Sequence, residues 1–467
     1  MRVGILAYSY PPCDSIGAMR PAGWVRYLPE FGIEPIVVTR HWDGNLRSSR
    51  DHVEKSSIEE VRVKREGGAL IVRAPFIPDV RDRMILRFGL ERFAGPRKML
   101  SLILSCSQMA TLAWDHHAPV FRAALDHFRK EPCDLLIATG GPFVLFRYAH
   151  LLSKKLRIPW IADYRDGWTT SEELSYSSLH RRILQKTFFR LAEKKYLQSA
   201  ALITTAAPSY AESLAKLHEN IPVQVVLNGF DDETVSYLRK DGVLKDSNFA
   251  LDPSERMSTP ESGRPVGDRT LVIFYGGTLY EHQPVERFFD GLDLFVKMRP
   301  SARLKVRFVG TGFHEAAGER IRRLTEKAPY SVEIVPRMDY RNFLIGAASA
   351  HLLLLLSRKD SGWLNAKIFD YLAVRRRIIL VERDGGVLDG IIRETGAGLS
   401  GSTPGEIARI VSDAYDALHE TGDVVCVSEG WEKYGRRGQT EILANLAVKV
   451  GSRFRLEKGC PRCMGPG

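Results

Sequence analysis

The stretch that decides the fold is RVGILAYSYPPCDSIGAMRPAGWVRYLPEFGIEPIVVT, residues 2–39. It reads as an apolar strand (2–8), a loop marked by prolines and a glycine, a helical pattern (22–31) and a second apolar strand (34–39). Near-continuous apolar strands separated by helices are typical of a parallel sheet covered on both faces. The stretch therefore predicts the first strand–helix–strand unit of an α/β domain.

The same alternation runs through two parts of the chain. In the first part we predict further strands at 134–139, 159–164, 200–205 and 223–228, and helices at 143–156 and 181–199. After a polar segment rich in Ser, Pro and Gly, we predict strands at 270–276, 304–310, 332–336, 351–357 and 377–382. The predicted fold class is α/β with two Rossmann-like domains. The predicted bounds are 1–232 for the N-terminal domain, 233–268 for the linker, 269–430 for the C-terminal domain, 431–451 for a final helix and 452–467 for a tail.

Composition and charge narrow the class of protein. The chain has 467 residues, 44% of them hydrophobic and 26% charged, as in a soluble globular protein with more than one domain. Its formal net charge of +11 attracts anions such as nucleotides, nucleic acids or an acidic membrane face. The sequence has neither zinc-finger spacing nor a basic motif interleaved with aromatic residues, so we predict no nucleic-acid partner.

The sequence predicts a cytoplasmic protein that does not cross a membrane. Met1 and Arg2 lead directly into a strand, which is not a signal-peptide pattern. The longest uncharged run, 99–114, is about 16 residues long, which is shorter than a bilayer span. Scattered cysteines in such a chain favour reduced thiols. Cys460 and Cys463 have the spacing of half a zinc site, but no second pair lies nearby, so we predict no metal site.

In the first half, three loops follow predicted strands at the sheet edge where α/β folds bind ligands. Gly17 lies in the first loop, two glycines lie in the second (137–143), and Asp163, Arg165 and Asp166 lie in the third. Glycines let a ligand approach the backbone, and charges at a strand end border a binding site. An ordinary turn at Gly17 and a local ion network around Arg165 are the alternatives.

In the second half, the segments 275–288 and 308–323 repeat this arrangement of a strand, glycines and a helix. A third segment, SGWLNAKIFDYLAVRRRIILV (361–381), reads as a loop, a short helix and a buried strand. Lys367 and Asp370 lie near the start of that helix. They are either a salt bridge between residues three apart, contributing about 0.2–0.5 kcal/mol, or ligands for a phosphate and a sugar diol.

Several motifs together resemble a known family. The motifs are YSYPP and IGAMR, TGGPF followed by IPWIADYRDGW, VVLNGFDD, YGGTLY, FVGTG, AKIFDYLAVRRRIIL and YGRRGQTEILANL. In order and spacing they are similar to the motifs of the GT-B-fold retaining glycosyltransferases of family 4, which recur in bacterial polysaccharide clusters. The resemblance covers residues 1–450. It implies two Rossmann-like domains that face each other across a cleft, with the final helix crossing back to the N-terminal domain.

The resemblance also implies roles for individual residues. The nucleotide-sugar donor would lie in the C-terminal domain, where Lys367 would neutralise the departing diphosphate and Asp370 would accept hydrogen bonds from the ribose hydroxyls. Arg165 and Asp166 would border the reacting sugar and the acceptor. The implied donor-binding residues are Gly17, Gly277, Thr278, Arg287, Gly310, Arg337 and Asp370.

The implied function is transfer of a sugar, with retention, from a nucleotide-sugar to a glycan or lipid-linked acceptor in cell-surface polysaccharide synthesis. The enzyme would be of the hexosyltransferase type and would need no obligatory metal and no cofactor beyond the nucleotide-sugar co-substrate. Two departures keep a second hypothesis open, a catalytically degenerate GT-B protein that binds a nucleotide or partner without turnover. Gly362 stands where the family has a glutamate, with Asp360 the nearest acid, and the first donor loop offers only His282 and Arg287. A nucleotide-sugar epimerase lacks support, because such enzymes carry a different set of acids and histidines.

The segment RDRMILRFGLERFAGPRKMLSLILS (81–105) interleaves basic and bulky apolar residues. Such a pattern suits a segment that lies on an anionic leaflet. The sequence therefore predicts an anionic membrane surface as a further partner and a peripheral location on the inner face of the plasma membrane. An amphipathic helix packed on the sheet, with its basic face in solvent, is the alternative.

Overall fold

The structure is a computed structural model that describes residues 1–44, 50–89, 92–170, 183–242, 244, 269–311, 315–359 and 364–457. The chain divides into two compact units. Unit 1 consists of Met1–Asn228 and Arg436–Gly467, and unit 2 consists of Gly229–Gly435.

Unit 1 is built on one sheet. Its strands in the described residues are β1 (Arg2–Leu6), β2 (Glu34–Arg40), β3 (Arg62–Glu66), β4 (Ala69–Ala74), β5 (Leu135–Thr139), β6 (Trp160–Tyr164), β7 (Leu202–Thr205) and β8 (Val223–Val225). They lie in the order β3-β4-β2-β1-β5-β6-β7-β8. Only the edge pair β3–β4 is antiparallel among these pairings. The helices are α1 (Ile16–Tyr27), α2 (Val80–Phe88), α3 (Ala94–Ala110), α4 (Ala118–Lys130), α5 (Val144–Leu156), α6 (Arg190–Leu197) and α7 (Pro208–Leu217).

The sheet of unit 1 is covered on both faces, as the apolar strands predict. In β1, Leu6 packs into one hydrophobic core together with α4 and α5, whereas Val3 and Ile5 pack into a second core together with α1. Successive side chains of a strand point to opposite faces, so a strand that is apolar throughout needs two cores.

Unit 2 has a smaller sheet with the same construction. Its strands are β9 (Leu271–Gly276), β10 (Leu304–Val309), β11 (Ser331–Val335), β12 (Leu352–Leu356), β13 (Arg377–Val381) and β14 (Gly398–Gly401), in the order β11-β10-β9-β12-β13-β14 and all parallel. Its helices are α8 (Asp232–Lys240), α9 (Val285–Met298), α10 (Glu315–Thr325), α11 (Tyr340–Ala348), α12 (Lys367–Val374), α13 (Val387–Thr395) and α14 (Pro404–Thr421). The helices α9 and α14 pack on the sheet through a core that includes Phe288, Leu292 and Ile407.

The last helix, α15 (Arg436–Glu457), belongs to unit 1. It follows a short 3₁₀ turn (Trp431–Tyr434), and its Leu443, Ala444 and Ala447 join the core that α1 covers. None of the helices in the described part of the chain has both the length and the apolar character that crossing a membrane requires.

The structure differs from the predicted elements at several places. The strands β3, β4 and β14 were not predicted, and α1 begins at Ile16 rather than at residue 22. The predicted helix 181–199 is a π-helical turn (Gln185–Phe189) followed by α6, and its residues 181–182 lie outside the described part. Within the predicted linker, α8 covers Asp232–Lys240, whereas residue 243 and residues 245–268 lie outside the described part. So do Asp360, Gly362 and residues 458–467 of the predicted tail.

Candidate functional site

In unit 2, three loops meet at the carboxyl ends of β9, β10 and β11. Gly277 follows β9, Gly310 follows β10 and Arg337 follows β11. A Cβ atom on Gly310 would lie 3.6 Å from the Cα of Gly277 and 3.9 Å from the Cα of Arg337. The structure thus brings together these three residues, which the sequence placed in separate loops.

The amine of Lys367 lies against the same loops. Lys367 is the first residue of α12, and its Nζ donates hydrogen bonds to the Tyr275 hydroxyl (2.8 Å) and to the Thr278 carbonyl (3.0 Å). Gly277 has a φ of +90°, and a Cβ there would lie 2.7 Å from Cε of Lys367. A side chain at position 277 would therefore be strained and would displace the lysine. Neither bond is a salt bridge to Asp370.

Both hydrogen-bond acceptors of Lys367 are neutral, and this shapes its charge state. The atoms around the amine are densely packed, and this burial lowers the pKa of Lys367 to about 7. Burial also raises the pKa of Tyr275, so that phenol stays neutral. Because the charged form of the amine lacks a compensating carboxylate among the described residues, an anion placed there would stabilise it.

Asp370 lies one helical turn after Lys367. Its Oδ1 accepts a hydrogen bond from the hydroxyl of Tyr340 (2.7 Å), the first residue of α11. The Asp370 side chain is half-buried. The contact fixes the direction of this carboxylate relative to α11, and no local pattern indicated it because Tyr340 lies 30 residues away.

The two predicted arginines of unit 2 have different surroundings. Arg287 on α9 forms an ion pair with Glu382, which directly follows β13. Arg337 is exposed, and within the described residues no hydrogen bond or ion pair engages its guanidinium group. The guanidinium charge of Arg287 is therefore already balanced by a carboxylate, whereas that of Arg337 is not.

Sequence reasoning missed the residues that hold the loop after β9. The Tyr275 hydroxyl lies within hydrogen-bond distance of the Thr278 carbonyl (2.8 Å) and of Gln283 Oε1 (3.1 Å). Gln283 is fully buried, accepts a hydrogen bond from the Tyr280 N–H and donates one to the Leu356 carbonyl. The YGG motif could have indicated Tyr275 at the strand end. Nothing local distinguishes Gln283 from a solvent-exposed loop residue.

In unit 1, three further loops meet around Arg165, which follows β6. Its Nε donates to the Gly140 carbonyl (2.8 Å) and its Nη2 to the Gly141 carbonyl (3.1 Å). A Cβ on Gly17 would lie 2.0 Å from Nη1 of Arg165, and one on Gly141 would lie 2.1 Å from Nη2. Burial lowers the pKa of Arg165, and the carboxylate of the exposed Asp166 opposes this. The predicted residues Gly17, Arg165 and Asp166 are thus brought together.

Asp163 has a different role from its neighbours. Its carboxylate is fully buried and forms an ion pair with Arg20 of α1 (2.7 Å). It also accepts a hydrogen bond from the Thr204 hydroxyl (2.8 Å), while Arg20 donates to the Leu227 carbonyl (2.9 Å). A local ion network around Arg165 was the alternative interpretation of this segment. Asp163 does form an ion pair, and its partner is Arg20. The pair joins β6, β7, α1 and the segment after β8.

Two groups of side chains in unit 1 have the composition of metal ligands. They are Asp115, His116 and His117, and Asp79, Asp82 and His116, with potential ligand atoms within 4.8 Å of one another in each group. Several of these atoms already have partners. Asp115 accepts hydrogen bonds from the Tyr148 hydroxyl and the His117 N–H, and Asp82 is paired with Arg81 and accepts a hydrogen bond from the N–H of Asp79, the N-cap residue of α2. The geometry is that of a buried hydrogen-bond network at the starts of α2 and α4.

Comparison with protein-family models finds no match, and neither does a search of curated proteins. Solved structures are similar over the whole chain. An α,α-trehalose-phosphate synthase (UDP-forming) from Burkholderia vietnamiensis has a TM-score of 0.58 and 11% identity, with coverage of 97% of this chain and 99% of that chain. A glycosyltransferase from Rickettsia africae has a TM-score of 0.53 and 11% identity, with coverage of 98% and 97%. A sucrose-phosphate synthase from Thermosynechococcus elongatus has a TM-score of 0.50 and 13% identity, with coverage of 98% and 99%.

These similarities concern the fold. The predicted class, an α/β chain with two parallel-sheet domains of the GT-B type, is confirmed.

Proposed function

We propose that the chain is a nucleotide-sugar-dependent glycosyltransferase. The observation that carries this proposal is the Lys367 amine, which among the described residues is held by a phenol and a carbonyl beside Gly277 at the ends of parallel strands. This is the kind of place where α/β folds bind nucleotides, and an amine whose described hydrogen-bond acceptors are neutral suits a diphosphate. Support also comes from the fold, which is shared with a glycosyltransferase and with a synthase whose name includes "UDP-forming".

The proposed chemistry is transfer with retention by front-face displacement. The bond between the sugar's anomeric carbon and the diphosphate oxygen breaks, and the acceptor oxygen bonds to that carbon on the same face. The acceptor's proton passes to the leaving phosphate oxygen. Lys367 and the positive end of α12 stabilise the charge that develops on the diphosphate. Because these groups supply the positive charge, we propose that no metal is obligatory.

The other predicted residues have supporting roles in this proposal. Asp370, oriented by Tyr340, accepts hydrogen bonds from the ribose hydroxyls. Arg337 contributes a further cation for the phosphates, and Gly310 leaves room for them. In unit 1, Arg165 and Asp166 contact the acceptor, which is a glycan or a lipid-linked sugar in polysaccharide synthesis.

A second candidate is a protein of the same fold that binds a nucleotide without turnover. The ion pair between Arg287 and Glu382 favours it, because this arginine is one of the cations expected at the diphosphate. A donor panel separates the two candidates. The protein is incubated with UDP-, GDP- and ADP-sugars, and both nucleotide binding and nucleotide release are measured. We expect binding with release. Binding without release supports the second candidate, and the absence of binding contradicts both.

We also propose that unit 1 rests on the anionic inner face of the plasma membrane. In α2 only Asp82 is buried, and Phe93 and Met99 are 52% and 66% exposed, which favours a surface contact of this segment over core packing. The protein should sediment with anionic liposomes at low salt and detach at high salt, because basic residues near such a surface contribute about 1 kcal/mol each. Replacing Arg83, Arg87 and Arg92 with Glu should release it. Equal binding to neutral vesicles contradicts this proposal.

A further inference from the structure

The helix α3 presents apolar side chains that are exposed in the part of the chain that the structure describes. Between residues 94 and 107 no side chain of this helix is buried, although only Arg97 and Lys98 are charged there. Met99, Leu102 and Ile103 are 66%, 39% and 53% exposed. A surface helix normally turns its apolar residues toward the core, so an exposed apolar face of this kind is a candidate binding surface.

One side of α3 forms the wall of a groove with a volume of about 850 Å³, which is in the usual range for small-molecule sites. The groove lies wholly within unit 1. Its apolar lining comes from α3, from the start of α5, from Trp168 and from the π-helical turn. The residues are Met99, Leu102, Met109, Pro142, Phe143, Val144, Trp168, Leu184 and Phe189. Phe143 and Trp168 stack with their planes 3° apart and form one rigid wall.

The uncharged polar side chains of the groove are already engaged in hydrogen bonds. The hydroxyl of Ser101 donates to the Arg97 carbonyl of the same helix. That of Ser105 donates in the same way to the Ser101 carbonyl. Two glutamines are also engaged, Gln108 with His116 and Gln185 with the Trp168 carbonyl. What the groove offers a ligand is therefore hydrocarbon surface and the Lys98 amine, which has no partner among the described residues. No acidic residue is among the described residues that line it.

Two basic residues lie in or beside the groove. Lys98 lies in the first helical turns of α3, whereas the last turn is tied to α5 by the hydrogen bond from Arg147 to the Gln108 carbonyl. The lining residue Pro142 directly follows Gly141, whose carbonyl accepts a hydrogen bond from Arg165. A molecule in the groove would thus lie near two cations, the half-buried guanidinium of Arg165 and the exposed amine of Lys98.

We propose that this groove binds the hydrocarbon chain of the sugar acceptor, with the acceptor's anionic head near Arg165. The inference rests on the proposed glycosyltransferase function and narrows its acceptor to a lipid that carries a phosphate. Two observations favour this occupant. The described lining is largely apolar with its uncharged polar groups satisfied, and Lys98 in the groove and Arg165 beside it supply positive charge that complements a phosphorylated lipid and an anionic leaflet.

Binding of alkyl phosphates by the full-length protein tests the proposal without any need for activity. Butyl, octyl and decyl phosphate are titrated by calorimetry below the concentration at which they form micelles, with inorganic phosphate as reference. Each buried methylene contributes about 0.8 kcal/mol, which converts to up to about fourfold in affinity. We expect affinity to rise steeply from butyl to decyl phosphate. Equal affinities for butyl and decyl phosphate would overturn the proposal.

Two adjacent residues of α3 provide matched variants. Leu102 lines the groove and Ile103 does not, and both are solvent-exposed apolar residues. Leu102→Glu should weaken binding of decyl phosphate about tenfold or more, because it places a charge beside the chain. Ile103→Glu should leave this binding unchanged. Ser105→Trp, which fills the groove, should act like Leu102→Glu. Equal losses in Leu102→Glu and Ile103→Glu would contradict a groove-bound chain.

A separate titration with UDP, GDP and ADP tests the proposed function independently of alkyl phosphate binding in the groove. The Leu102 and Ile103 variants should bind nucleotide as the unaltered protein does, which also shows that they are folded. If no nucleotide binds to the unaltered protein, the proposed function fails, whereas the dependence on chain length alone decides whether the groove holds hydrocarbon.

Discussion

Arg165 in unit 1 and Lys367 in unit 2 occupy similar places and have different electrostatic surroundings. Each follows or faces a parallel strand at its carboxyl end, and each lies where a glycine leaves room, Gly141 for the arginine and Gly277 for the lysine. Burial lowers the pKa of both, but nearby carboxylates favour the charged form of Arg165. Arg165 is therefore a permanent cation, whereas the pKa of Lys367, about 7, lets its charge respond to a ligand.

The comparison also separates structural charge from functional charge. In unit 1 the buried charge next to Arg165, Asp163, is neutralised by Arg20 and holds secondary-structure elements together. In unit 2 the half-buried amine of Lys367 is matched, among the described residues, by neutral acceptors, and in the proposed function it gains a counter-ion when the diphosphate binds. The first arrangement contributes to stability, whereas the second leaves the charged form of the amine uncompensated in the free protein, as is common at functional sites.

The largest expected effect is on the stability of unit 1. Asp163→Ala removes one partner of a fully buried ion pair and leaves the Arg20 guanidinium uncompensated, which should cost about 3–5 kcal/mol of unfolding free energy. Asp166→Ala, three residues away and exposed, should change it by less than about 0.5 kcal/mol. Urea denaturation measures both. Similar stabilities of the two variants would show that the Asp163–Arg20 pair is not structural.

The next effect is on the chemistry proposed for unit 2. Lys367→Ala should raise the barrier to sugar transfer by about 2.7–4 kcal/mol, the usual loss when one electrostatic contact to a developing charge is removed. Lys297→Ala, an exposed lysine of α9 in the same unit, serves as control and should transfer at the normal rate. The measurement is nucleotide release from the best donor of the panel. Normal turnover of the Lys367 variant would contradict the role assigned to this amine.

The regular parts of the fold could be predicted because their apolar runs are nearly continuous. The strand β12, LLLLL, is fully buried and leaves no other interpretation. By contrast, β3 has the sequence RVKRE, with four exposed residues at the sheet edge, and its strand conformation depends on antiparallel pairing with β4. The start of α1 was placed too late, at residue 22, whereas the helix begins at Ile16 and includes Pro21.

The candidate site was predictable to the extent that topology determines it. Gly277, Gly310 and Arg337 follow neighbouring parallel strands, so the order of the strands alone brings them together. The partners of the charged groups depend on distant residues. Arg20 lies 143 residues from Asp163, and Tyr275 lies 92 residues from Lys367. Which of two acids is buried and which amine lacks a counter-ion are properties of packing that no local pattern records.

A smaller effect concerns nucleotide affinity. Asp370→Asn should weaken binding of the preferred nucleotide by about 1.5–3 kcal/mol, the range for a hydrogen bond to a charged group, and should slow transfer at saturating donor much less. Asp413→Asn on α14 is a control outside the proposed site. Calorimetric titration measures the affinity, and steady-state kinetics measures the rate at saturation. Unchanged affinity in the Asp370 variant would leave this residue with only its contact to Tyr340.

The smallest expected effect is a pH dependence of nucleotide binding, and it tests the difference between Arg165 and Lys367 most directly. With a pKa of about 7, the Lys367 amine of the free protein is mostly neutral at pH 8, and a bound diphosphate raises that pKa by favouring the ammonium form. Nucleotide binding at pH 8 should therefore take up a proton, and affinity should fall above pH 7 by at most about tenfold per unit. Titration at pH 8 in two buffers of different ionisation enthalpy, HEPES and Tris, gives the number of protons taken up on binding.

The terminal phosphate of a nucleoside diphosphate, with a pKa of about 6, is already ionised at pH 8 and contributes little to this proton uptake. Lys367→Arg keeps the charge but is protonated in both states, so it should bind without proton uptake, as a permanent cation like Arg165 would. Uptake of the same size in Lys367→Arg would assign the proton to another group, and no uptake in the unaltered protein would mean that the amine of Lys367 does not change its charge when the diphosphate binds.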